Sequence, residues 1–228
     1  MIQLLSASKL FDVSEASVTN TMEFPSECKM PDLSNLEPLW TRLVPLLLIG
    51  APGLSKNTGL YLREYVRLVE KALREYCEAR NVILEVVAEI NHKGKEPKQN
   101  ARLAFVFLFG DHMETCIDAI RRIYHLMDGI VRIKEDSTLV PKELRKLVLT
   151  NSESITRIRD TIQHLDKDIR DGIPPGKPIM LAVNDDADGI VISSHEMKFN
   201  QIATVLKRMH EIALHILVAG KTAGKDLI

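Results

Sequence analysis

Three residues within six positions of one another, Arg159, Asp160 and His164, have side chains that can together bind and cleave a phosphodiester. Histidine can act as acid or base near neutral pH. Arginine holds a phosphate with two parallel donors and stabilises developing negative charge. A carboxylate one turn before the histidine favours the imidazolium and orients the ring. RNA can be cleaved by its own 2′-hydroxyl with such groups, so these three are the candidate catalytic residues.

The surrounding residues predict the helix that must position this set. Apolar side chains recur at steps of three and four, which is the period of a helical stripe; they are Ile155, Ile158, Ile162, Leu165 and Ile169. At about 100° per residue, Asp160 and His164 lie together on the opposite side, and Arg159 stands between them and the stripe. We expect one helix, which starts at the Thr150/Glu153 capping box and ends near Gly172.

The segment Arg-Asp-Thr-Ile-Gln-His, residues 159–164, resembles the Arg, polar residue, three variable residues, His motif of the HEPN superfamily. The resemblance extends over residues 60–218, and the segment after His164, a hairpin and a final helix are similar to the abortive-infection-type branch. Asp160 stands where Asn is commoner.

The resemblance implies a helical-bundle, metal-independent endoribonuclease that works as a homodimer in bacterial defence or toxin–antitoxin systems, with RNA as substrate, an antitoxin as partner and no cofactor. One chain supplies one histidine at the motif, so a symmetric dimer would supply two, with two arginines. The alternative is a non-catalytic dimerisation or binding module of the same fold.

A second group of residues is the candidate RNA-binding surface. Its members are basic side chains on three predicted helices: Arg121, Arg122, His125, Arg145, Lys146 and Arg157. If those helices are neighbours in the fold, these side chains form the local basic patch that RNA binding requires. The alternative interpretation is a solvated charged face.

Two further patterns can be read as metal sites. Residues 184–189, Asn-Asp-Asp-Ala-Asp-Gly, match the first half of a calcium loop, but the required Glu would fall at His195, and a hairpin turn explains the same residues. His112 and Cys116 are one turn apart, with Glu114 between them and His125 further along, yet no second ligand pair accompanies them. We therefore expect no metal.

The predicted fold is all-α: an up-and-down bundle of about four main helices, with a small β-hairpin at about 178–194 before the last one. Long helices are predicted over 59–90 and 99–133, with a polar loop between them that makes them antiparallel, and a short helix over 141–149. A Ser193/Glu196 capping box is expected to precede the last helix, which runs from Phe199 to Gly220. We predict an N-terminal extension with short helices at 1–58, the bundle at 59–220 and a flexible tail at 221–228.

The amino-acid composition gives no indication of several classes of function. The net charge is −1 and apolar residues make up 45%, so no global charge indicates nucleic acid or membrane binding. The three cysteines are far apart and predict free thiols in a reducing cytoplasm. No signal peptide or membrane span is predicted.

Overall fold

The computed structural model describes residues 26–49, 56–93, 99–133, 138–172, 178 and 180–222. The helices are α1 (Trp40–Ile49), α2 (Lys56–Lys93), α3 (Gln99–Arg132), α4 (Lys142–Leu149), α5 (Ser152–Gln163), α6 (Leu165–Asp171) and α7 (Phe199–Thr222). The strands are β1 (Ala182–Val183), β2 (Gly189–Ile192) and β3 (His195–Lys198). The predicted helical bundle with a small β-structure before the last helix is thus confirmed.

The seam between α2 and α3 carries most of the core. Both helices bury a continuous apolar stripe, to which Val69, Tyr76, Met113 and Ile120 belong. Cross-helix pairs join Glu64 to Arg122 and Glu75 to His112, so the start of α2 lies beside the end of α3. The two helices are therefore antiparallel, as the short polar loop between them predicted.

The last helix, α7, closes the bundle by packing on α2 and α4. Its apolar face is fully buried at Phe199, Leu206 and Met209. The Phe199 ring meets Phe109 of α3 edge-on, with centroids 6.3 Å apart. The buried Tyr65 hydroxyl of α2 donates a hydrogen bond to the carbonyl of Met209, which ties the two helices together.

Residues 30–43 contribute to the same core as the bundle. Leu39 is fully buried, and the carboxylate of Glu70 on α2 accepts hydrogen bonds from the backbone N–H groups of Leu39 and Trp40, which caps α1. The ring of His210 on α7 donates to the carbonyl of Glu37 at 2.7 Å. The rest of the predicted extension, residues 1–25 and 50–55, and the end of the predicted tail, residues 223–228, lie outside the described residues.

The predicted hairpin is a three-stranded antiparallel sheet with the order β1-β2-β3. The register pairs Ile190 with Met197 and Ile192 with His195. The expected capping box before α7 was wrong, because Ser193 lies in the β2–β3 turn with φ 50° and Glu196 lies within β3. The third strand therefore occupies the residues expected to start the helix.

The helix expected to run from Thr150 to Gly172 is broken at His164, which has φ −111° and ψ 22°. Thr150 does not cap it, because its hydroxyl donates to the Lys146 carbonyl and Asn151 holds the N-cap position. Ile169, the last residue of the predicted stripe, is 56% exposed. Because α6 packs chiefly on α5, no further layer among the described elements holds its apolar face in line with that of α5.

No helix in the described segments is long and apolar enough to span a membrane.

Gly189 of β2 tests the packing of the sheet. A Cβ at this position would lie 2.5 Å from the carbonyl oxygen of Met197, so Gly189→Ala must displace strand backbone. We expect Gly189→Ala to lower the free energy of unfolding by about 1–3 kcal/mol, as overpacking does. The control is Gly59→Ala in α2, where a Cβ meets nothing within 4 Å and helix propensity favours alanine. Urea denaturation, monitored by circular dichroism, measures the free energy of unfolding of both variants and of the wild type. A Gly189→Ala protein as stable as the wild type would contradict the register of β2 and β3.

Candidate functional site

The position of α5 decides which of its residues can act together. Ile155 and Ile158 are buried in the core, and α5 packs on α3 and on β3. Helix α5 is therefore held between α3 and the small sheet. Its two remaining flanks face two separate pockets.

The first pocket, which we call the α5–β3 cleft, has a volume of about 410 Å³. Its lining residues are Arg157, Asp160, Thr161, His164, Lys167 and His195. The volume falls in the range of roughly 300–1,000 Å³ that is typical of small-molecule sites. The described lining residues thus include two imidazoles, two cationic side chains and one carboxylate.

His164 occupies the joint between α5 and α6. Its N–H donates to the Asp160 carbonyl at 2.9 Å, and its own carbonyl accepts from the Lys167 N–H at 2.9 Å. Its backbone lies near the sparsely populated bridge region, where active-site residues are often found. The imidazole is exposed at the mouth of the cleft. His164 and Asp160 are thus neighbours, as predicted, but the hydrogen bond that links them runs through the backbone.

Arg159 lines a different pocket on the other flank of α5. This Arg159 pocket, of about 280 Å³, is formed by Lys71, Glu114, Thr115, Asp118, Arg159, Ile162 and Gln163. The guanidinium lies 3.8 Å from the Asp118 carboxylate and 3.5 Å from that of Asp160. Its Nε is buried without a hydrogen-bond partner among the described residues. Within one protomer, the arginine and the histidine of the motif therefore face different pockets.

His195 is a functional candidate that sequence reasoning missed. Side chains alternate along a strand, so His195 lies on the same face of β3 as the buried Met197, towards the core, and is half-buried at the rim of the cleft. The β2–β3 turn before it is fixed by a hydrogen bond from the Ser193 N–H to the Pro178 carbonyl at 2.8 Å. The sequence pattern indicates of His195 only that it occupies the position at which a calcium loop would require Glu.

The predicted basic patch is divided among several ion pairs. Arg122 binds Glu64 of α2 at 3.0 Å, Arg145 binds Asp128 of α3 at 2.9 Å, and Arg157 binds Glu153 within α5. Arg157 also lines the α5–β3 cleft. His125 and Lys146 are exposed, and Arg121 is half-buried. Three of the six predicted RNA-binding residues thus lie beside carboxylates, which lowers their positive potential.

The acidic sequence 184–189 forms a turn between β1 and β2. The Asn184 side-chain oxygen accepts hydrogen bonds from the N–H groups of Asp188 and Gly189, at 3.0 and 2.9 Å. The Lys198 ammonium lies 2.7 Å from Asp188 and 3.1 Å from Glu196. Hydrogen bonds from Lys198 and Asn184 lower the pKa of Asp188, and those from Asn184 and Lys198 lower the pKa of Glu196. An ammonium group therefore lies where the carboxylates converge.

The residues of the second metal pattern have other partners. His112 lies 2.8 Å from the Glu75 carboxylate. Cys116 is fully buried, and burial raises the pKa of its thiol far above the usual range. Over the described segments, no group of three or more His, Cys, Asp or Glu side chains is arranged to hold a metal ion.

Comparison of the chain with protein-family models, with curated proteins and with solved structures finds no match. The similarity to the HEPN superfamily therefore rests on the residues quoted above.

Substitution of Glu114, which lines the Arg159 pocket, tests how strongly burial in this pocket disfavours a charged carboxylate. Burial raises the pKa of its carboxyl group above the ordinary value of 4.5, and Asp111 adds to the effect. A folded-state pKa above the unfolded one means that this group stabilises the fold below about pH 4.5 and that the contribution is lost as pH rises through the folded value. Glu114→Gln should therefore raise the free energy of unfolding at pH 7 and leave it nearly unchanged below pH 4.

Thermal melts of the wild type and of Glu114→Gln, at pH 7 and below pH 4, measure the difference in stability between the two proteins. Glu85→Gln, at an exposed position of α2, is the matched control and should show no comparable gain. A less stable Glu114→Gln protein at pH 7 would show that the carboxylate attracts Arg159 or Lys71 more strongly than burial disfavours it.

Proposed function

We propose that the protein is a HEPN-like, metal-independent endoribonuclease that acts as a cytoplasmic homodimer in bacterial defence or a toxin–antitoxin system, with an antitoxin as its partner. The single observation that supports this most is the α5–β3 cleft. It gathers His164 and Asp160 of the motif with cationic side chains in a volume that suits a small ligand.

The proposed reaction needs no group from outside the protein. A base takes the proton of the RNA 2′-hydroxyl, and the resulting oxygen attacks the adjacent phosphorus. The bond from phosphorus to the 5′-oxygen breaks, and an acid protonates that oxygen. The products are a 2′,3′-cyclic phosphate and a 5′-hydroxyl. His164 serves as acid or base, and cationic side chains stabilise the charge that develops on the phosphate.

The geometry of Arg159 supports its role as a phosphate ligand. Purely structural arginines of this chain bind carboxylates with two donors: Arg42 holds Glu37 at 2.8 and 2.7 Å, and Arg67 holds Glu64 at 2.8 and 2.6 Å. Arg159 lies beside its two carboxylates at distances beyond normal hydrogen bonds. The Arg159 guanidinium is thus not tied to either carboxylate by a close two-donor pair. In the proposed dimer, the partner copy brings a second Arg159 and a second His164 to the site.

The same ion pairs favour one alternative, a non-catalytic dimerisation or binding module. In that case Arg159 links α5 to α3 through Asp118, and exposed pairs of this kind contribute less than about 1 kcal/mol. His164 would then have no chemical role. The two proposed functions predict different effects on RNA cleavage when the His164 imidazole is removed.

His164→Gln should reduce RNA cleavage by about 10²- to 10⁴-fold, as removal of an acid–base catalyst does, without changing the melting temperature. Purified protein is incubated with RNA in excess chelator, and mass spectrometry identifies the cyclic phosphate ends. The matched control is His215→Gln, at an exposed position of α7, which should cleave like the wild type.

Chelator-sensitive cleavage would contradict the metal-independent mechanism. Intact RNA with the wild-type protein, together with equal effects of wild type and His164→Gln on cell growth, would favour the non-catalytic module.

A further inference from the structure

We propose that His195 is the second catalytic histidine, so that the acid and the base of the reaction both come from one protomer. This rests on the proposed function and refines one part of it: the second imidazole at each site is His195 of the same protomer, in place of the partner copy's His164. His195 and His164 line the same α5–β3 cleft, although one begins a strand and the other joins two helices.

The first argument is chemical. Cleavage by the 2′-hydroxyl needs two proton transfers, one from the attacking oxygen and one to the leaving oxygen, and a single imidazole must otherwise perform both. Histidine is the side chain best suited to either task at neutral pH. Two imidazoles that line one cleft of about 410 Å³ can address the two oxygens from different sides of the phosphate. One protomer thus contains both groups.

The second argument is electrostatic. Arg157 and Lys167 line the cleft with the two histidines, and among the described lining residues Asp160 is the acidic one. Arg157 is paired with Glu153, but both side chains are largely exposed, with 61% and 76% of their surface accessible, so the pair is weak and can open. A phosphodiester in the cleft therefore lies within reach of two cationic side chains beside the two acid–base groups.

The third argument is positional. The two residues before His195 form a tight turn in which Ser193 has φ 50°, a left-handed backbone that non-glycine residues adopt infrequently. The turn is anchored by the Ser193 N–H to the Pro178 carbonyl, and the strand continues into the buried Met197. His195 is thus held by backbone contacts on both sides. Strained turns of this kind are common beside functional residues.

In the proposed step, one of the two imidazoles accepts the 2′-hydroxyl proton while the other donates a proton to the departing 5′-oxygen. The bond from the 2′-oxygen to phosphorus forms as the bond to the 5′-oxygen breaks. One imidazole ends protonated and the other neutral, and exchange with water restores both. No oxidant, metal or cofactor enters the balance.

The first experiment compares His195→Gln, His164→Gln and the control His215→Gln with the wild type on RNA. Both cleft variants should lose about 10²- to 10⁴-fold in rate with unchanged far-ultraviolet circular dichroism, and the control should lose nothing. Full activity of His195→Gln beside an inactive His164→Gln protein would overturn the role of His195 and leave the proposed ribonuclease intact. An inactive wild type would overturn both.

A second substrate separates catalysis from a structural role. Uridine 3′-(4-nitrophenyl phosphate) has a leaving group that departs without a proton, so it needs the base but no acid. One of the two cleft variants, the one that lacks the acid, should regain most of the wild-type rate on this substrate. Rescue of both variants, or of neither, would overturn the division of acid and base between His164 and His195.

Mixing the two inactive variants locates the site within the dimer. When both histidines come from one protomer, a mixed dimer contains no complete pair and stays inactive. Activity that returns to as much as about a quarter of the wild-type level, as random exchange of symmetric dimers allows, would show that His195 acts across the interface and would overturn the single-protomer site.

Discussion

The burial of Ile155 and Ile158 is the constraint on which the candidate site depends. These two residues fix the rotation of α5 between α3 and the small sheet. Successive residues of a helix point about 100° apart, so Arg159 and Asp160 leave this buried face in different directions. Arg159 consequently enters one pocket, and Asp160 and His164 enter the other. Residues that are adjacent in a motif need not share a cleft within one chain.

The parts of the fold that the sequence predicted are those in which one long apolar stripe decides the outcome. Helices α2, α3 and α7 follow this rule, because their stripes are buried along most of their length. The helix around the motif was predicted as one unbroken helix, since a helical period continues to Ile169, but the buried packing does not extend that far and the helix breaks at His164. Helical stability in proteins comes mostly from tertiary packing. Where the neighbouring layer ends, periodicity alone does not hold the helix together.

His195 was beyond the reach of the sequence for a related reason. Strand β3 has four residues, and only Met197 among them is buried, so the alternation is too short to predict a strand. The interaction that makes β3 a strand is its pairing with β2, for example Ile190 with Met197. Long-range pairing is a property of the folded chain. His195 and His164 line one cleft because of that pairing and because α5 contacts the sheet.

The acidic turn shows how the same residue types can serve structure instead of ion binding. In a calcium loop, alternate carboxylates and carbonyls point inward at one cation. Here the Asn184 amide satisfies two backbone N–H groups, and Lys198 supplies the positive charge that Asp188 and Glu196 require. Side chains of this chain thus satisfy the backbone donors of the turn and balance the charge of its carboxylates. Since β3 carries both His195 and Lys198, the ion pairs on one face of the strand help to hold the imidazole on the other.

A site with both imidazoles in one protomer changes what a second copy of the chain has to provide. The cleft contains two imidazoles, and what it lacks from the motif is Arg159, which lies on the opposite flank of α5. A twofold arrangement that places the α5 helices of two protomers side by side can bring the Arg159 of one towards the cleft of the other. Dimerisation would then supply phosphate-binding charge instead of a second histidine. The spacing between arginine and histidine in the motif fits this arrangement, because it places the two side chains on flanks that face different neighbours.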